Sequence, residues 1–405
     1  MSDSKPRIAI LGAGPTGLEA ALAAAEAGHP FTLYEASPSV AGNVRAWGHV
    51  RLFTPWEMNV SPRMRRHLEA AGREVPGGSE CPTGHDLAEK VLEPLAALPE
   101  IAPHLRLGAR VLGIGRQGLL KHEEIATAER GRRPFRLLLS DGAGREWTET
   151  ADLVIDATGT WSNPNTLGDG GIPAPGERSL TGEIRRDIPD LSAEKEGWAG
   201  KTILLAGAGH SAQTAVRALA ELAKEAPGTR VIWALRNPKP SWATHEGDPL
   251  PDRATLAAAA TELAGGASPA VEARRGAVVE EIAKPNGRFE VTLRNGAGPE
   301  KVEVDRILAL TGAVGDHGLY RQLQVHECYA TCGPIKLSAA LLGAGGSDCL
   351  TQTTHGADTL TNPEPGFFIL GAKSYGRNTT FLMRVGWEQV GEVFGMLGVG
   401  LTLGL

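Results

Sequence analysis

The chain has 405 residues, of which 41% are hydrophobic and 22% charged, and its formal net charge is -6. A globular protein of this length is expected to form two or three domains with an ample core. The acidic balance argues against a general nucleic-acid binder, because such proteins need a basic surface to neutralise phosphates. Composition therefore favours a large soluble enzyme.

The first informative motif is a G-x-G-x-x-G sequence at residues 12–17, between the apolar run 8–11 and an alanine-rich run. We predict a strand before it and a helix after it, the context in which this motif binds a dinucleotide. Gly12 allows a tight turn, Gly14 lets the backbone approach a pyrophosphate, and Gly17 lets the helix pack closely on the strand. The amides at the helix N-terminus attract the phosphate charge.

A second predicted strand ends at Glu35, about twenty residues beyond the glycines, where a carboxylate accepts hydrogen bonds from ribose hydroxyls. The same pattern returns at residues 207–212, where Ala212 replaces the third glycine, a change that the motif tolerates. The strand that follows is succeeded by Arg236. A cation suits a 2'-phosphate and an acid repels one, so we predict FAD at the first motif and NADPH at the second. Arg236 could instead be a solvated surface arginine.

The two halves continue alike. Residues 135–144 and 289–298 each predict a strand that enters a turn, and each is followed by a buried strand and a small-residue turn. We therefore predict an α/β fold of two doubly wound, Rossmann-like nucleotide-binding domains with small antiparallel insertions. The expected FAD domain is discontinuous, residues 1–165 and 306–405, and the expected NADP domain is residues 166–305.

The Ala-Thr-Gly linker at residues 157–164 and the segment 81–87 carry a resemblance that covers nearly the whole chain. The sequence resembles the two-dinucleotide flavoproteins, and within them the flavin-containing monooxygenases and the related N-hydroxylating and Baeyer-Villiger enzymes. The monooxygenase motif F-x-G-x-x-x-H is degraded here to Leu180, Gly182 and Arg186. The resemblance implies an NADPH-consuming flavin monooxygenase that uses O2 to oxygenate a small molecule at an amine, a sulfur centre or a ketone.

Two alternatives remain open at this point. One is an NAD(P)H-dependent flavin reductase that passes electrons to a quinone, a protein or a disulfide, and the other is a non-catalytic flavin redox sensor. Cys328 and Cys332 are four residues apart and could meet if helical. The C-x-x-C and C-x4-C spacings of thioredoxin-type and lipoamide-type reductases are absent, which disfavours a disulfide mechanism.

The candidate site residues fall into three groups. For the flavin site we assign Gly12, Gly14, Pro15, Thr16, Gly17, Glu35, Gly42, Arg45, Val111, Thr158, Gly159, Gly371, Lys373 and Thr380. For the nicotinamide dinucleotide we assign Gly207, Gly209, His210, Ser211, Ala212 and Arg236. The candidate catalytic residues are Thr54, Trp56 and Asn378. Lys373 and Asn378 could contact a phosphate or the flavin, or could merely stabilise the turn that contains them.

No metal-ligand spacing of histidines and cysteines is evident, and we expect no metal. No secretory segment is evident either. The apolar C-terminal stretch contains Glu388 and Glu392, which favours a terminal helix and a packed tail over a membrane span. We expect a cytoplasmic protein without nucleic-acid or membrane partners, in which the apolar tail could seal a homodimer.

Overall fold

The computed structural model describes residues 5–242, 250–344, 350 and 353–398. Cys349 and the apolar tail from residue 399 onward lie outside this described part. The strands are, in chain order, β1 (Ile8–Leu11), β2 (Phe31–Tyr34), β3 (Leu105–Arg106), β4 (Arg110–Arg116), β5 (Phe135–Ser140), β6 (Glu146–Ala151), β7 (Leu153–Asp156), β8 (Ile184–Arg185), β9 (Thr202–Ala206), β10 (Arg230–Leu235), β11 (Val271–Arg275), β12 (Val278–Ala283), β13 (Phe289–Asn295), β14 (Gly298–Val304), β15 (Arg306–Ala309) and β16 (Phe367–Ile369).

The helices alternate with the strands of the two large sheets. They are α1 (Pro15–Glu26), α2 (Gly42–Ala46), α3 (Trp56–Asn59), α4 (Pro62–Ala70), α5 (Gly84–Leu87), α6 (Glu93–Ala96), α7 (Ala128–Arg132), α8 (Lys195–Trp198), α9 (His210–Glu225), α10 (Pro251–Ala264), α11 (Ile335–Ala344), α12 (Ala372–Tyr375) and α13 (Met383–Gly398). A π-helical turn at Ala88–Leu92 joins α5 to α6.

Two units divide the described chain. The first contains the residues up to Asn163 and those from Val314 onward, and the second is Pro164–Ala313. The first unit is therefore discontinuous, as predicted. The expected return to the first domain at residue 306 is too early, because β15 pairs with β9 and with β8 and so belongs to the sheet of the second unit.

The first unit is built on a parallel five-stranded sheet in the order β16-β7-β1-β2-β3. Ile8 and Ile10 of β1 face a core that includes α1 and α13, whereas Ala9 and Leu11 face the opposite side. Apolar residues on both faces are typical of a parallel sheet that is covered on both sides. This explains why the strand reads as a continuous apolar run rather than an alternating one.

The second unit repeats this plan with the order β11-β10-β9-β15-β8, again with parallel pairing throughout. Ile203 and Leu205 of β9 pack with the apolar stripe of α9 in one cluster, and Leu204 and Ala206 face the other side. The helix buries the side that the sequence periodicity predicts, which includes Val216.

Each unit carries one antiparallel three-stranded insertion, β4-β5-β6 in the first and β12-β13-β14 in the second. The register shifts between Val111 and Gly113 in the first insertion and between Val279 and Glu281 in the second. Both irregularities lie in the first strand of the insertion, β4 in the first unit and β12 in the second. The similarity between the two insertions therefore includes the register shift. The predicted fold class is confirmed. Within the part of the chain that the structure describes, no helix is long and apolar enough to cross a membrane.

Candidate cofactor sites

The turn between β1 and α1 has the tight geometry that its motif predicts. Gly12 has φ +95°, and a Cβ there would lie 2.8 Å from the Ala157 carbonyl oxygen. A Cβ on Gly17 would lie only 1.8 Å from the Gly12 carbonyl oxygen. Helix α1 begins at Pro15, whose fixed φ and missing N–H suit the first helical position. Backbone conformation and packing therefore require two of the three glycines.

Gly14 is different, because nothing in the polypeptide requires a glycine there. Its φ is -87°, and a Cβ would meet no atom within 4 Å. The space in front of the α1 N-terminus is open, and a side chain would fill it. An open approach to unpaired helix N-terminal amides is what a dinucleotide pyrophosphate needs, so the residues present fit that group.

The Glu35 carboxylate is fixed at the end of β2. Its Oε2 accepts a hydrogen bond from the Ala13 amide at 2.8 Å, and its Oε1 accepts one from the Ser37 amide at 2.9 Å. Each carboxylate oxygen has two lone pairs, so both can still accept a hydrogen bond from a ribose hydroxyl. Glu35 borders a cleft in the first unit.

The cleft brings together residues from five segments of the first unit, within 11–12, 34–43, 109–111, 158–163 and 316–319. The candidate flavin residues in its lining are Gly12, Glu35, Val111, Thr158 and Gly159. The lining also includes Asn43, Ser162 and Asp316, which are not among the residues assigned from the sequence. Asn43 follows the assigned Gly42 and could have been found by extending that segment. Asp316 lies just after the chain re-enters the first unit, in a stretch with no recognisable motif.

Gly42 and Arg45 lie next to this cleft without lining it. A Cβ on Gly42 would lie 1.9 Å from the Ser37 hydroxyl oxygen, so Gly42 permits close packing of the segment after β2. The Arg45 guanidinium donates to the Val40 carbonyl at 3.1 Å and pairs with Glu93 at 3.0 Å. These contacts tie α2 to its neighbours.

A buried ion pair lies under the edge of the cleft. The Lys373 ammonium lies 2.6 Å from Asp156 Oδ2, and both side chains are fully buried. Asp156 Oδ1 accepts hydrogen bonds from the Thr158 amide at 3.1 Å and the Thr158 hydroxyl at 2.7 Å. The Lys373 ammonium also lies 5.0 Å from the centroid of the Tyr320 ring. The structure thus pairs Lys373 with a carboxylate, and the pair fixes Thr158 where it lines the cleft.

The turn between β16 and α13 contains the other C-terminal candidates. Gly371 has φ +73°, and a Cβ there would lie 2.8 Å from the Thr16 hydroxyl oxygen. Asn378 Oδ1 accepts hydrogen bonds from the Thr380 amide at 3.0 Å and the Thr380 hydroxyl at 2.7 Å. Asn378 and Thr380 therefore stabilise the turn before α13, and Thr16 packs beneath it.

The candidate catalytic residues Thr54 and Trp56 lie inside the first unit and are not part of the cleft lining. The Thr54 hydroxyl donates to Asn59 Oδ1 at 2.7 Å, and Asn59 Nδ2 donates to the Thr54 carbonyl at 2.7 Å. Trp56 belongs to the hydrophobic core. This segment is therefore packed against the core and satisfied by its own hydrogen bonds.

The second motif forms the same kind of turn, but different residues pack against it. Gly207 has φ +131°, and a Cβ there would lie 2.1 Å from the Leu310 carbonyl oxygen. Gly209 has φ -71°, and a Cβ there would meet no atom within 4 Å. Helix α9 begins at the next residue, His210, so its N-terminal amides face an approach like that at Gly14. Ala212 is fully buried.

Two tryptophans that the sequence analysis did not assign hold the second turn. The Trp233 indole N–H donates to the Gly207 carbonyl at 2.8 Å, and the Trp242 indole N–H donates to the Ala208 carbonyl at 2.8 Å. The two rings are stacked, with centroids 5.4 Å apart. Isolated aromatic residues in a sequence carry no signal for this role.

Charge near the second motif is positive. Arg236 follows β10 and is exposed, as a residue that meets a ligand phosphate would be. Ser211 is also exposed on the first turn of α9. Desolvation and, after it, the charge of Arg253 lower the pKa of His210. Both effects favour the neutral form of the His210 imidazole. The described residues contain no group of three or more His, Cys, Asp or Glu that could hold a metal ion.

Residues 6–328 match the family model described as pyridine nucleotide-disulphide oxidoreductase. The chain belongs to this family. The resemblance to two-dinucleotide flavoproteins is confirmed, and so are the cofactors that it implies, FAD and a nicotinamide dinucleotide. This member of the pyridine nucleotide-disulphide oxidoreductase family is a flavoprotein oxidoreductase. A search of the curated proteins finds no match.

Solved structures share the fold over nearly the full chain. Bacillithiol disulfide reductase Bdr from Bacillus cereus has a TM-score of 0.66 at 17% identity, covering 98% of this chain and 99% of its own. Ornithine N-hydroxylase from Kutzneria sp. 744 has a TM-score of 0.63 at 14% identity, covering 98% and 100%. Thioredoxin reductase from T. acidophilum has a TM-score of 0.58 at 15% identity, covering 99% and 100%. Reductases and hydroxylases thus share this architecture.

Proposed function

We propose that this flavoprotein is an NADPH-dependent monooxygenase that inserts one atom of O2 into a small molecule at a nitrogen or sulfur centre or a ketone. The observation that carries the proposal is the cysteine pattern. The sequence has four cysteines and neither the C-x-x-C nor the C-x4-C spacing of the disulfide-reducing members. A family member without that dithiol needs another acceptor for its electrons, and O2 with a soft small molecule is the acceptor that the sequence resemblance favours.

In this proposal the first unit holds FAD. The α1 N-terminal amides and the open face of Gly14 receive the pyrophosphate, and the Glu35 carboxylate receives the ribose hydroxyls. Thr158 and Gly159 line the same cleft, and the Asp156–Lys373 pair fixes the Thr158 side chain there. The bound flavin supplies the hydride acceptance and the oxygen chemistry.

The second unit holds NADPH. The α9 N-terminus and the open face of Gly209 receive the pyrophosphate, with the turn held in place by the two indole hydrogen bonds. Arg236 receives the 2'-phosphate, which NADH lacks. The selection between the two nicotinamide cofactors then rests on Arg236, the exposed cation directly after β10.

One solved relative of the same fold supports the chemistry as a precedent. The structure of the Kutzneria ornithine N-hydroxylase is a complex with reduced FAD, NADP+ and L-ornithine. This fold can therefore hold both cofactors together with a small amine. The proposed overall reaction converts NADPH, a proton, O2 and the substrate to NADP+, water and the oxygenated product.

The test compares, for the flavin-loaded enzyme, the amount of NADPH consumed with the amount of oxygenated product formed. NADPH consumption is measured with a panel of L-ornithine, cadaverine, methyl phenyl sulfide and cyclohexanone under 18O2. We expect one 18O atom in one product per NADPH consumed. NADPH oxidation that requires oxidised glutathione or a quinone and proceeds without O2 would instead identify a reductase. A flavoprotein that consumes no NADPH under any of these conditions would be a sensor.

A further inference from the structure

We propose that Cys328 and Cys332 form a thiol–disulfide exchange site that reacts with low-molecular-weight disulfides and closes to an intramolecular disulfide. The pair lies in the loop 326–334, which we call the dithiol loop. Neither cysteine lines the cleft of the first unit, and the proposal does not depend on the proposed oxygenation.

The dithiol loop places the two cysteines one turn apart. The Cys332 amide donates to the Cys328 carbonyl at 2.8 Å, and the Cys328 amide donates to the Gly333 carbonyl at 2.8 Å. The two hydrogen bonds tie the backbones of Cys328 and Cys332 into one tight turn. A disulfide needs a Cβ–Cβ distance of about 3.5–4.5 Å, so closing the bond requires the loop to bring the two Cβ atoms to that distance.

Cys332 is the cysteine of the pair that is more accessible to an external reagent. It is half-buried, whereas Cys328 is buried, and between them Tyr329 is 97% exposed, which shows that the loop projects into solvent. Cys332 also has φ +59°, a left-handed conformation that is unfavourable for a residue with a side chain. A rearrangement of the loop can relieve that conformation.

A guanidinium holds the Cys332 sulfur. Arg377 Nε donates to Cys332 Sγ at 3.3 Å, and the Arg377 amide donates to the Thr331 carbonyl at 2.6 Å. The contact places a cation beside the sulfur that attacks in the proposed exchange. Cys81 offers the contrast within the same chain. It is also half-buried, but its sulfur donates to the Phe53 carbonyl at 3.5 Å, a contact that requires the protonated thiol.

Cys328 is suited to the second step. The Thr331 hydroxyl and the Thr331 amide donate hydrogen bonds to the Cys328 sulfur. Mainly for this reason, the pKa of the Cys328 thiol is lowered. The Thr331 hydroxyl is itself held by the Ser338 hydroxyl at 2.6 Å. The resolving thiol is thus buried from external reagents and favoured as the thiolate.

The exchange with oxidised glutathione balances in two steps. The Cys332 thiolate attacks one glutathione sulfur, the glutathione disulfide bond breaks, and one glutathione thiolate leaves. The Cys328 thiolate then attacks Cys332 Sγ and expels the second glutathione thiolate. Two electrons pass from the cysteines to glutathione disulfide, and the displaced thiolates take up the two thiol protons.

The experiment uses the full-length, flavin-loaded protein and mass spectrometry. Trypsin releases residues 322–336 as one peptide that contains both cysteines. We expect iodoacetamide to alkylate Cys332 about tenfold faster than Cys81 at pH 7. Oxidised glutathione should convert the peptide to a form lighter by two hydrogens, and dithiothreitol should reverse the change.

Matched variants separate this site from a structural pair of cysteines. Cys328→Ser should stop at a glutathione adduct on Cys332, and Cys332→Ser should give neither adduct nor disulfide. Arg377→Gln should bring the alkylation rate of Cys332 down to that of Cys81, whereas Arg377→Lys and the distant surface change Arg132→Gln should preserve most of the difference.

Three results would overturn the proposal. One is equal alkylation of Cys332 and Cys81 in the unmodified protein, and another is a peptide that stays reduced in excess oxidised glutathione. The third is a disulfide that NADPH alone reduces, because the pair would then belong to the electron path of the flavin. None of these readouts uses oxygenation, so a failed monooxygenase assay leaves them interpretable.

Discussion

The two nucleotide-binding halves follow one plan and differ at the positions where side chains meet the turn. Leu11 of β1 pairs with Asp156, and Ala206 of β9 pairs with Ala309 at the equivalent place. The turn glycine after each strand packs against the carbonyl one residue further along. The first half therefore has a buried carboxylate where the second half has an alanine.

The third motif position differs as well. A Cβ on Gly17 would lie 1.8 Å from the Gly12 carbonyl oxygen, whereas Ala212 carries a Cβ and is fully buried without such a clash. In the second half the helix thus leaves room for a methyl group. The same motif therefore occurs with two different distances between the helix and the turn. Glycine at the third position indicates the shorter distance, and alanine indicates the longer one.

The largest effect is expected from breaking the ion pair that only the first half has. Lys373→Met should lower the free energy of unfolding by about 3–5 kcal/mol, because it leaves the Asp156 carboxylate buried without a counter-charge. The double change Asp156→Ala with Lys373→Met imitates Ala309 of the second half and should recover most of the loss. Urea unfolding followed by fluorescence measures both. A single variant as stable as the parent protein would contradict this account.

The next effect tests the packing difference at the third motif position. Gly17→Ala should destabilise the first unit by about 2–3 kcal/mol, because the new methyl group meets backbone and cannot be accommodated by a side-chain rotation. It should also reduce the bound flavin after purification. Ala212→Gly is the matched change in the second half and should cost only about 1 kcal/mol. Thermal unfolding and flavin absorbance would show whether the two variants differ in this order.

The repeated pattern was readable from sequence because each element carries local information. The apolar strands, the glycines of both turns and the strand–turn pairs at residues 135–144 and 289–298 all lie where the structure has them. Glu35 could be found for the same reason, since its position is counted from a motif. About half of the candidate flavin cleft is thus predictable from local spacing.

The remaining features depend on contacts that are distant in sequence. Lys373 is a basic residue two positions after Gly371, a pattern that favours a phosphate contact, but its partner Asp156 is 217 residues away. The Trp233 and Trp242 indoles reach the second turn through folding and not through a motif. The early boundary at residue 306 has the same origin, because only strand pairing shows to which sheet β15 belongs.

A smaller effect is expected from the charged residue that follows the second strand of each half, Glu35 in the first half and Arg236 in the second. Arg236→Gln should raise the KM for NADPH about tenfold and leave that for NADH nearly unchanged, because a charged hydrogen bond contributes about 1.5–3 kcal/mol and this one is exposed to solvent. Glu35→Gln should weaken FAD binding and leave the ratio of the two KM values unchanged. Steady-state kinetics with both nicotinamide cofactors measure the ratio. Equal losses with NADPH and NADH would show that Arg236 does not read the 2'-phosphate.

The smallest effect concerns how each half anchors the helix that follows its glycine motif, α1 in the first half and α9 in the second. Glu26 at the end of α1 is partly desolvated, which opposes its ionisation, but hydrogen bonds from Arg63, His67 and Arg66 outweigh this and lower its pKa to about 2. A carboxyl group whose pKa is lower in the folded state stabilises the fold above its unfolded pKa and loses that contribution as the pH falls. The wild-type advantage over Glu26→Gln should therefore be present at pH 6 and decline from about pH 4.5 towards pH 2.

The advantage should be below about 1 kcal/mol even at pH 6, because Glu26 is one-third exposed and solvent screens its partners. Glu225 at the end of α9 is the counterpart in the second half and pairs with Lys195 at 2.7 Å on the open surface. Glu225→Gln should leave the free energy of unfolding unchanged within error at both pH values. Urea unfolding at pH 6 and pH 3 compares the two variants. If the Glu26→Gln difference were the same at both, the cluster around α1 would act through packing and not through charge.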